Sequence, residues 1–213
     1  MRRAEGGYTL VALLAMMTIL ALFAMALAPS IQQQAQRERE KESIFRGEQV
    51  ADAIRAYYIN RFQTLRLQGD QALPSSMDQL LEGIPVQGGA KKRQILRASA
   101  AHDPLSPNGE WRFVRPRSQA LIDFQRAILF YAGNLVPTPQ DRQMAQLQQL
   151  AVPMITSVLN TGTDQKSSDS SSIDDDSSGP FVGVSPRNKN KSVLTYYGID
   201  ELDQWIFTPL FRQ

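Results

Sequence analysis

The chain has 213 residues, of which 42% are hydrophobic and 21% are charged, and it contains no cysteine. This length allows one domain with appendages, and the composition excludes a disulfide scaffold and a chain that is disordered throughout. The 23 basic and 21 acidic residues give a net charge of only +2, so the charge balance does not indicate a nucleic-acid partner.

An uncharged segment of 21 residues extends from Tyr8 to Ala28. As a helix it would be about 30 Å long, which matches the hydrocarbon thickness of a bilayer. Arg2 and Arg3 precede the segment and the residues after it have no basic excess, so the positive-inside rule places the amino terminus in the cytoplasm. The sequence thus predicts a single-pass membrane protein whose chain after Pro29 is exported.

A cleavable secretory signal peptide is the alternative, because Ala24-Met25-Ala26 and Ala26-Leu27-Ala28 both have the small-x-small pattern of a cleavage site. Two features favour the anchor. The segment is longer than a signal-peptide core of about 7–15 residues. In addition, Pro29 follows Ala28 directly, and its missing N–H group and fixed φ suit a protease poorly.

Residues 1–7, MRRAEGG, form a basic leader that ends in Gly6-Gly7 and is followed by Tyr8, Thr9 and the aliphatic segment. This arrangement resembles the amino terminus of type IV prepilins and of type II secretion pseudopilins, in which a prepilin peptidase cuts after the last Gly of the leader. The resemblance implies cleavage between Gly7 and Tyr8 and methylation of the new amino terminus. A Gly before the scissile bond suits a peptidase that holds the backbone at close range.

Pro29 adds to the resemblance, because pilin-like proteins carry a helix-bending proline about where the chain leaves the membrane. The neighbouring residues, Ala28 and 31–36, could otherwise continue the helix, so Pro29 predicts a bend at this point. A simple helix stop at Pro29 is the alternative.

One position departs from the family pattern. Most members have a Glu five residues into the mature chain, where it is thought to pair with the amino group of a neighbouring subunit, and here that position is Ala12. A carboxylate buried in lipid is retained only where a charge partner stabilises it, so its loss indicates that no such partner is required. The departure implies a minor, tip-like subunit rather than the major repeating one.

Residues 30–66 predict an amphipathic helix that continues the membrane half, residues 8–29, as one stem. Its apolar residues recur at spacings of three, four and seven, and they are Ile44, Ala51, Ile54, Tyr58 and Leu65. The run REREKESIFRGEQVADAIRAYY also resembles a subgroup of pseudopilin-like proteins. A coiled-coil stalk is the weaker alternative, since no strict heptad persists past Arg46.

Residues 67–213 predict an exported α+β domain. A short helix has Ser75 or Ser76 as its N-cap and ends at Gly83. Four strands, at residues 111–114, 181–185, 192–197 and 204–207, predict one antiparallel sheet. The Asp-Pro, Gly and aromatic sequence before the first strand also occurs in the pseudopilin subgroup. The predicted fold class is therefore α+β and pilin-like, with a long transmembrane and amphipathic stem helix packed on a small antiparallel sheet.

The resemblance does not cover an insertion at residues 118–179. Residues 120–136 contain enough apolar side chains for a strand or a packed helix, and residues 140–160 predict a helix interrupted by Pro153. Residues 164–179 contain seven Ser, five Asp and one apolar residue. Such a segment has almost nothing to bury, so it predicts a mobile loop.

Catalytic candidates are sparse in this sequence. His102, the single histidine, lies beside Asp103 and near Ser106. Neighbours in a Pro-rich turn rarely adopt triad geometry, because triads are built from residues that are distant in sequence. The sequence therefore predicts that the chain is not an enzyme.

Ion-binding candidates are equally weak. Asp174–Asp176 could bind calcium, but their spacing does not match a calcium-binding loop, and a solvated acidic linker is the preferred interpretation. Arg187, Lys189 and Lys191 predict a solvated basic turn. The sequence predicts no metal, no cofactor and no nucleic acid.

Together these features predict a minor pseudopilin-like structural subunit of a type II secretion or type IV pilus-like fibre, which takes part in protein secretion. The resemblance implies four partners: a prepilin peptidase, other pseudopilins, and an inner-membrane assembly platform with its ATPase. It places the protein in the bacterial inner membrane, with the carboxy-terminal domain in the periplasm. The alternative is a membrane-anchored periplasmic enzyme or binding domain that is unrelated to fibre assembly.

Overall fold

The computed structural model describes residues 6–85, 92–152 and 179–211, with only the backbone for residues 6 and 24–31. The chain divides into two compact units, Met1–Arg39 and Glu40–Gln213. One helix, α1 (Gly6–Leu65), contributes residues to both units. The other described helices and strands all belong to the second unit, which we call the globular unit.

Helix α1 has 60 residues and continues across Pro29. Proline removes one backbone donor from a helix, but the residues on both sides of it keep helical geometry here. The helix therefore does not stop at Pro29, and the bend at this residue stays a prediction.

The prediction of a membrane-spanning helix over residues 8–29 is wrong. Among the described residues, none of the helices combines the length and the apolar character that crossing a bilayer requires. The predicted single-pass inner-membrane localisation, with a periplasmic carboxy-terminal domain, is wrong for the same reason.

The core of the globular unit forms around the second half of α1. Ala51, Ile54 and Tyr58 are buried, as the spacing predicts, and Ile44 packs against the core with partial exposure. Leu65 was predicted on the same face but is 57% exposed, at the last residue of α1. The buried face is also wider than predicted, since it includes Val50, Ala53 and Tyr57.

Helix α2 (Met77–Glu82) agrees with the predicted short helix that ends at Gly83, although the Ser76 side chain makes no capping hydrogen bond. Ser76 occupies the N-cap position in extended geometry, and Gly83 is the C-cap with a φ of 79°. This left-handed value is one that Gly adopts without a steric penalty. The carbonyl of Arg93 also lies where a Cβ on Gly83 would project, so a larger residue would not fit.

The described strands form three separate two-stranded sheets, and all three pairs are antiparallel. They are β1 (Ile84–Pro85) with β2 (Lys92–Arg93), β3 (Arg112–Val114) with β4 (Gly183–Ser185), and β5 (Lys191–Tyr196) with β6 (Ile199–Glu201). The predicted single antiparallel sheet is therefore wrong. Together with the absence of a membrane-capable helix among the described residues, this overturns the predicted pilin-like α+β fold class of a transmembrane stem on one sheet.

Residues 204–207 illustrate why one sheet does not form. They were predicted as a strand, but residues Leu202–Gln204 form a 3₁₀ turn and Phe207 makes only a single bridge to Val184. Its N–H donates to the Val184 carbonyl at 2.8 Å and its carbonyl accepts at 3.0 Å. Pro209 follows two residues later and has no N–H to extend the ladder.

Residues Ile199–Glu201 lie between the predicted strands at 192–197 and 204–207, yet they form β6. The turn before β6 explains the difference. Tyr197 and Gly198 have φ values of 50° and 77°, and two consecutive positive φ angles are what a two-residue type I′ hairpin turn requires. The tight turn returns the chain directly onto β5.

The insertion contributes two helices to the core. Helix α3 (Gln119–Tyr131) resolves the choice between strand and helix for residues 120–136, and its N-cap Ser118 accepts a hydrogen bond from the Leu121 N–H. Helix α4 (Arg142–Ala151) ends before Pro153. Residues 153–178 lie outside the described residues, and with them lies the predicted loop at 164–179 except for its last residue, Gly179.

Candidate functional site

The first part of α1 carries the residues predicted to be processed. Gly6 and Gly7 begin the helix, Tyr8 is 84% exposed, and Ala12 is exposed on the same helix. Apart from the chain neighbours of Gly7 and the nearby backbone of α1, no atom of the described residues lies within 4 Å of the position that a Cβ on Gly7 would occupy. The cleavage between Gly7 and Tyr8 and the implication of Ala12 both stay predictions.

The apolar side chains that follow Tyr8 are the outstanding surface feature of the described chain. We call residues 8–23 the apolar segment. Every large hydrophobic side chain in it is at least 53% exposed: Leu10, Val11, Leu13, Leu14, Met16, Met17, Ile19, Leu20, Leu22 and Phe23, in addition to Tyr8. Because successive residues of a helix are about 100° apart, these positions cover its entire circumference.

The apolar segment has no polar face. Its hydroxyl at Thr18 donates to the Ala15 carbonyl at 2.8 Å, so that polar group is satisfied within the helix. A helix that is hydrophobic on all sides is stable in water only when other structure covers it. The surface that residues 8–23 expose is therefore apolar on every side.

The globular unit holds its part of α1 through a buried carboxylate that sequence reasoning missed. Glu40 is fully buried, and its two oxygens accept the Val193 N–H at 2.9 and 3.0 Å and the Leu194 N–H at 2.8 Å. These N–H groups lie where the register between β5 and β6 is irregular. Glu40 thus supplies the hydrogen bonds that the sheet does not, and it ties α1 to β5.

The spacing of residues along α1 indicates that Glu40 lies on its buried face. Positions 40, 44, 47, 51, 54 and 58 follow one another at intervals of four and three, which is the repeat of a single helix face. A carboxylate on the buried face must be hydrogen bonded or paired. The alternating charges of residues 37–42 concealed this signal.

Gly47 lies on the same face, and its missing side chain lets the ring of Phe207 pack closely against α1. A Cβ at this position would overlap the ring of Phe207. That ring is itself packed against Trp111, at a centroid distance of 5.8 Å, and against Tyr196, at 5.2 Å. The contact between Gly47 and Phe207 therefore has little freedom to adjust.

Two members of the candidate triad, His102 and Asp103, make hydrogen bonds to α1 and to their own turn. Asp103 is 2% exposed, and its Oδ1 accepts hydrogen bonds from Ser43 Oγ at 3.1 Å and from the Leu105 N–H at 3.0 Å. The carbonyl of His102 accepts from Arg46 Nη1 at 3.2 Å. These contacts join the turn before β3 to α1, which is a structural role.

Replacing Asp103 by asparagine is expected to change how stability depends on pH. Burial raises the pKa of Asp103 above its ordinary value of 3.8, and hydrogen bonds from Leu105 and Ser43 only partly oppose this. An acid with a raised folded-state pKa stabilises the fold below the unfolded pKa, and this contribution is lost as pH rises through the folded pKa. Asp103→Asn should therefore abolish this loss of stability with rising pH, because asparagine does not titrate.

The measurement is the free energy of unfolding by denaturant between about pH 3 and pH 8. Exposed Asp200 provides the matched control, and Asp200→Asn should keep the pH dependence of the parent protein. If the free energy of unfolding changed with pH equally in the parent protein and in Asp103→Asn, the raised pKa of Asp103 would be contradicted.

The acidic and the basic ion-binding candidates lie in different parts of the chain. Asp174–Asp176 lie outside the described residues, and within the described ranges no group of three His, Cys, Asp or Glu side chains is arranged to hold a metal. Lys191 begins β5. Arg187 and Lys189 lie in the segment between β4 and β5, and they border a cavity together with Arg112 of β3 and with Arg115, which follows β3.

No family model, curated protein or solved structure matches this chain. The resemblance to pseudopilins therefore rests on the residues quoted from the amino terminus and from α1.

Proposed function

We propose that the chain is a minor pseudopilin-like structural subunit of a type II secretion or type IV pilus-like fibre. In this proposal it acts by packing, and the apolar segment is the surface that packs. The observation that carries the proposal is the exposure of large hydrophobic side chains around the whole circumference of residues 8–23.

The magnitude of the apolar burial supports assembly with other helices. Burying one aliphatic or aromatic side chain fully is worth about 1.5–3 kcal/mol, and eleven such side chains are exposed between Tyr8 and Phe23. A helix that contacts several neighbours, as in a helical bundle, can cover all its faces at once. A single docking groove would cover only one face.

The contacts inside the globular unit also suit a subunit that transmits force. Its part of α1 is fixed at Glu40 by buried hydrogen bonds, at Gly47 by the Phe207 ring, and along Val50 to Tyr58 by the core. A pull along this helix is opposed by all three sets of contacts, because each must break for the helix to slide.

The resemblance adds the route of assembly to the proposal. A prepilin peptidase would remove residues 1–7 and leave Tyr8 as the amino terminus, and an assembly platform with its ATPase would insert the subunit among other pseudopilins. Ala12 offers no carboxylate to the amino group of a neighbour. This supports a position at or near the tip of the fibre.

Site-specific photo-crosslinking in the native cell tests the proposal. Leu14, which is 55% exposed in the apolar segment, is replaced by the photo-reactive amino acid p-benzoylphenylalanine. We expect ultraviolet light to yield adducts with proteins that carry a similar leader and apolar helix, identified by mass spectrometry. The same replacement at Arg97, an exposed residue of the globular unit, is the control and should yield none of them.

In a second arm of this experiment, Gly7→Val is combined with the photo-reactive residue at position 14. This change should block removal of the leader and abolish the adducts from position 14. Two results would overturn the proposal. One is that position 14 gives no adduct with such proteins. The other is that the adducts persist unchanged with Gly7→Val, since assembly would then not depend on processing.

A further inference from the structure

A cavity of about 690 Å³ lies in the globular unit between β3, the first turn of α3, and the segment that contains β6 and the turn after it. Its volume falls in the range of about 300–1,000 Å³ that small-molecule sites occupy. Apolar side chains line one part of it, namely Phe113, Phe124, Ile199 and Ile206. The cavity thus has room and an apolar wall for a small organic body.

The charged side chains at this cavity are predominantly basic. Four are cationic, and they are Arg112, Arg115, Arg187 and Lys189, whereas two are anionic, Asp123 and Asp203. The lining therefore has a formal charge of +4 − 2 = +2. The four cations come from two segments more than 70 residues apart, so the fold brings them together.

One of the two carboxylates is engaged by groups on its own helix. Asp123 Oδ1 accepts from Gln119 Nε2 at 2.9 Å and pairs with Arg126 at 3.3 Å, and Arg126 is not among the lining residues. This pairing lowers the negative charge that Asp123 presents to the cavity. Arg187 is likewise paired outside the lining, with Glu110 at 3.9 Å, so the balance at the cavity stays near the formal count.

Arg112 is held in place without a carboxylate. Its Nη2 donates to Ser185 Oγ at 2.9 Å and to the backbone carbonyl of Asp203. Both acceptors are neutral, so they orient the guanidinium without neutralising its positive charge. The first turn of the 13-residue helix α3, at Ser118 to Ala120, adds its N-terminal dipole at the same cavity.

We propose that this cavity binds a small organic anion, with a carboxylate or phosphate group held by Arg112, Arg115 and Lys189 and an apolar body packed on the partly exposed ring of Phe113. Arginine donates to both kinds of oxyanion in bidentate geometry, which is why the two share one recognition chemistry. The site is independent of the apolar segment and of fibre assembly.

Isothermal titration calorimetry of the purified full chain tests this proposal with phenyl phosphate, benzoate and the neutral compound phenol. We expect saturable binding of phenyl phosphate, of benzoate, or of both, and none of phenol; the first two arms distinguish a phosphate from a carboxylate ligand. Lys189→Gln, at an exposed position, should weaken binding about tenfold. Arg115→Gln should do the same.

Arg97→Gln serves as the matched control, because Arg97 is exposed and lies outside the cavity, and it should leave the affinity unchanged. Absence of saturable binding by either anion up to about 10 mM would overturn the proposal. Binding that is equally tight in Lys189→Gln and in the parent protein would overturn it as well, since the anion would then be held elsewhere.

Discussion

Replacing Gly47 by alanine is expected to destabilise the globular unit by about 2–3 kcal/mol. Helix propensity alone predicts the opposite sign, because alanine is favoured over glycine in a helix interior by about 1 kcal/mol. Steric overlap outweighs this preference and sets the sign of the change in stability, because the new methyl group would overlap the ring of Phe207. The free energy of unfolding, from denaturant titration followed by circular dichroism, measures the change.

A compensating change at Phe207 provides the control for this prediction. Phe207→Leu alone should be destabilising, because it removes ring contacts with Trp111 and Tyr196. Combined with Gly47→Ala it should cost less than the sum of the two single changes, since the smaller side chain makes room for the methyl group. A Gly47→Ala protein as stable as its parent would show that the ring moves aside freely.

Much of the helical structure follows from local patterns in the sequence. Gly83 ends α2 through its own backbone preference, with a φ of 79°, and the face at Ala51, Ile54 and Tyr58 follows from a spacing of three and four. These features depend on residues within a few turns of one another. They are accordingly visible without the rest of the chain.

The sheets could not be predicted in the same way, because strand pairing joins distant segments. Phe113 pairs with Val184, and the sequence between them gives no sign of the register. The positive φ at Tyr197, a residue type that rarely adopts it, determines the hairpin of β5 and β6. Without that turn, residues 199–201 resemble a loop and residues 204–207 resemble a strand.

The local features of the candidate site were visible in the sequence, whereas contacts between distant residues were not. The apolar segment and the Gly6-Gly7 pair are continuous in the sequence, so both are visible from it; the membrane interpretation of the segment was wrong, and the processing at Gly7 stays a prediction. The partners of Glu40 are 153 and 154 residues away. The helix face could have indicated that Glu40 is buried, but not what it binds.

Glu40→Gln is expected to destabilise the globular unit by about 1–3 kcal/mol, which is the cost of leaving a buried donor unsatisfied. The carboxylate accepts two N–H groups, from Val193 and Leu194, through both of its oxygens. An amide has only one acceptor oxygen, and its NH₂ group would face a backbone donor. Glu40→Ala should cost more, about 3–5 kcal/mol, because it also leaves a cavity.

Hydrogen exchange separates this role from a general loss of packing. In Glu40→Gln, the amide protons of Val193 and Leu194 should exchange faster than those of β3 and β4, because the carboxylate is their acceptor while the ladder of β3 and β4 is unchanged. Glu38→Gln, an exposed site on the same helix, is the control and should change stability by no more than about 0.5 kcal/mol. If the exchange at Val193 and Leu194 were unaffected by Glu40→Gln, the irregular part of β5 would be held by the β6 pairing and the surrounding core, and the buried carboxylate would not be what joins α1 to this strand.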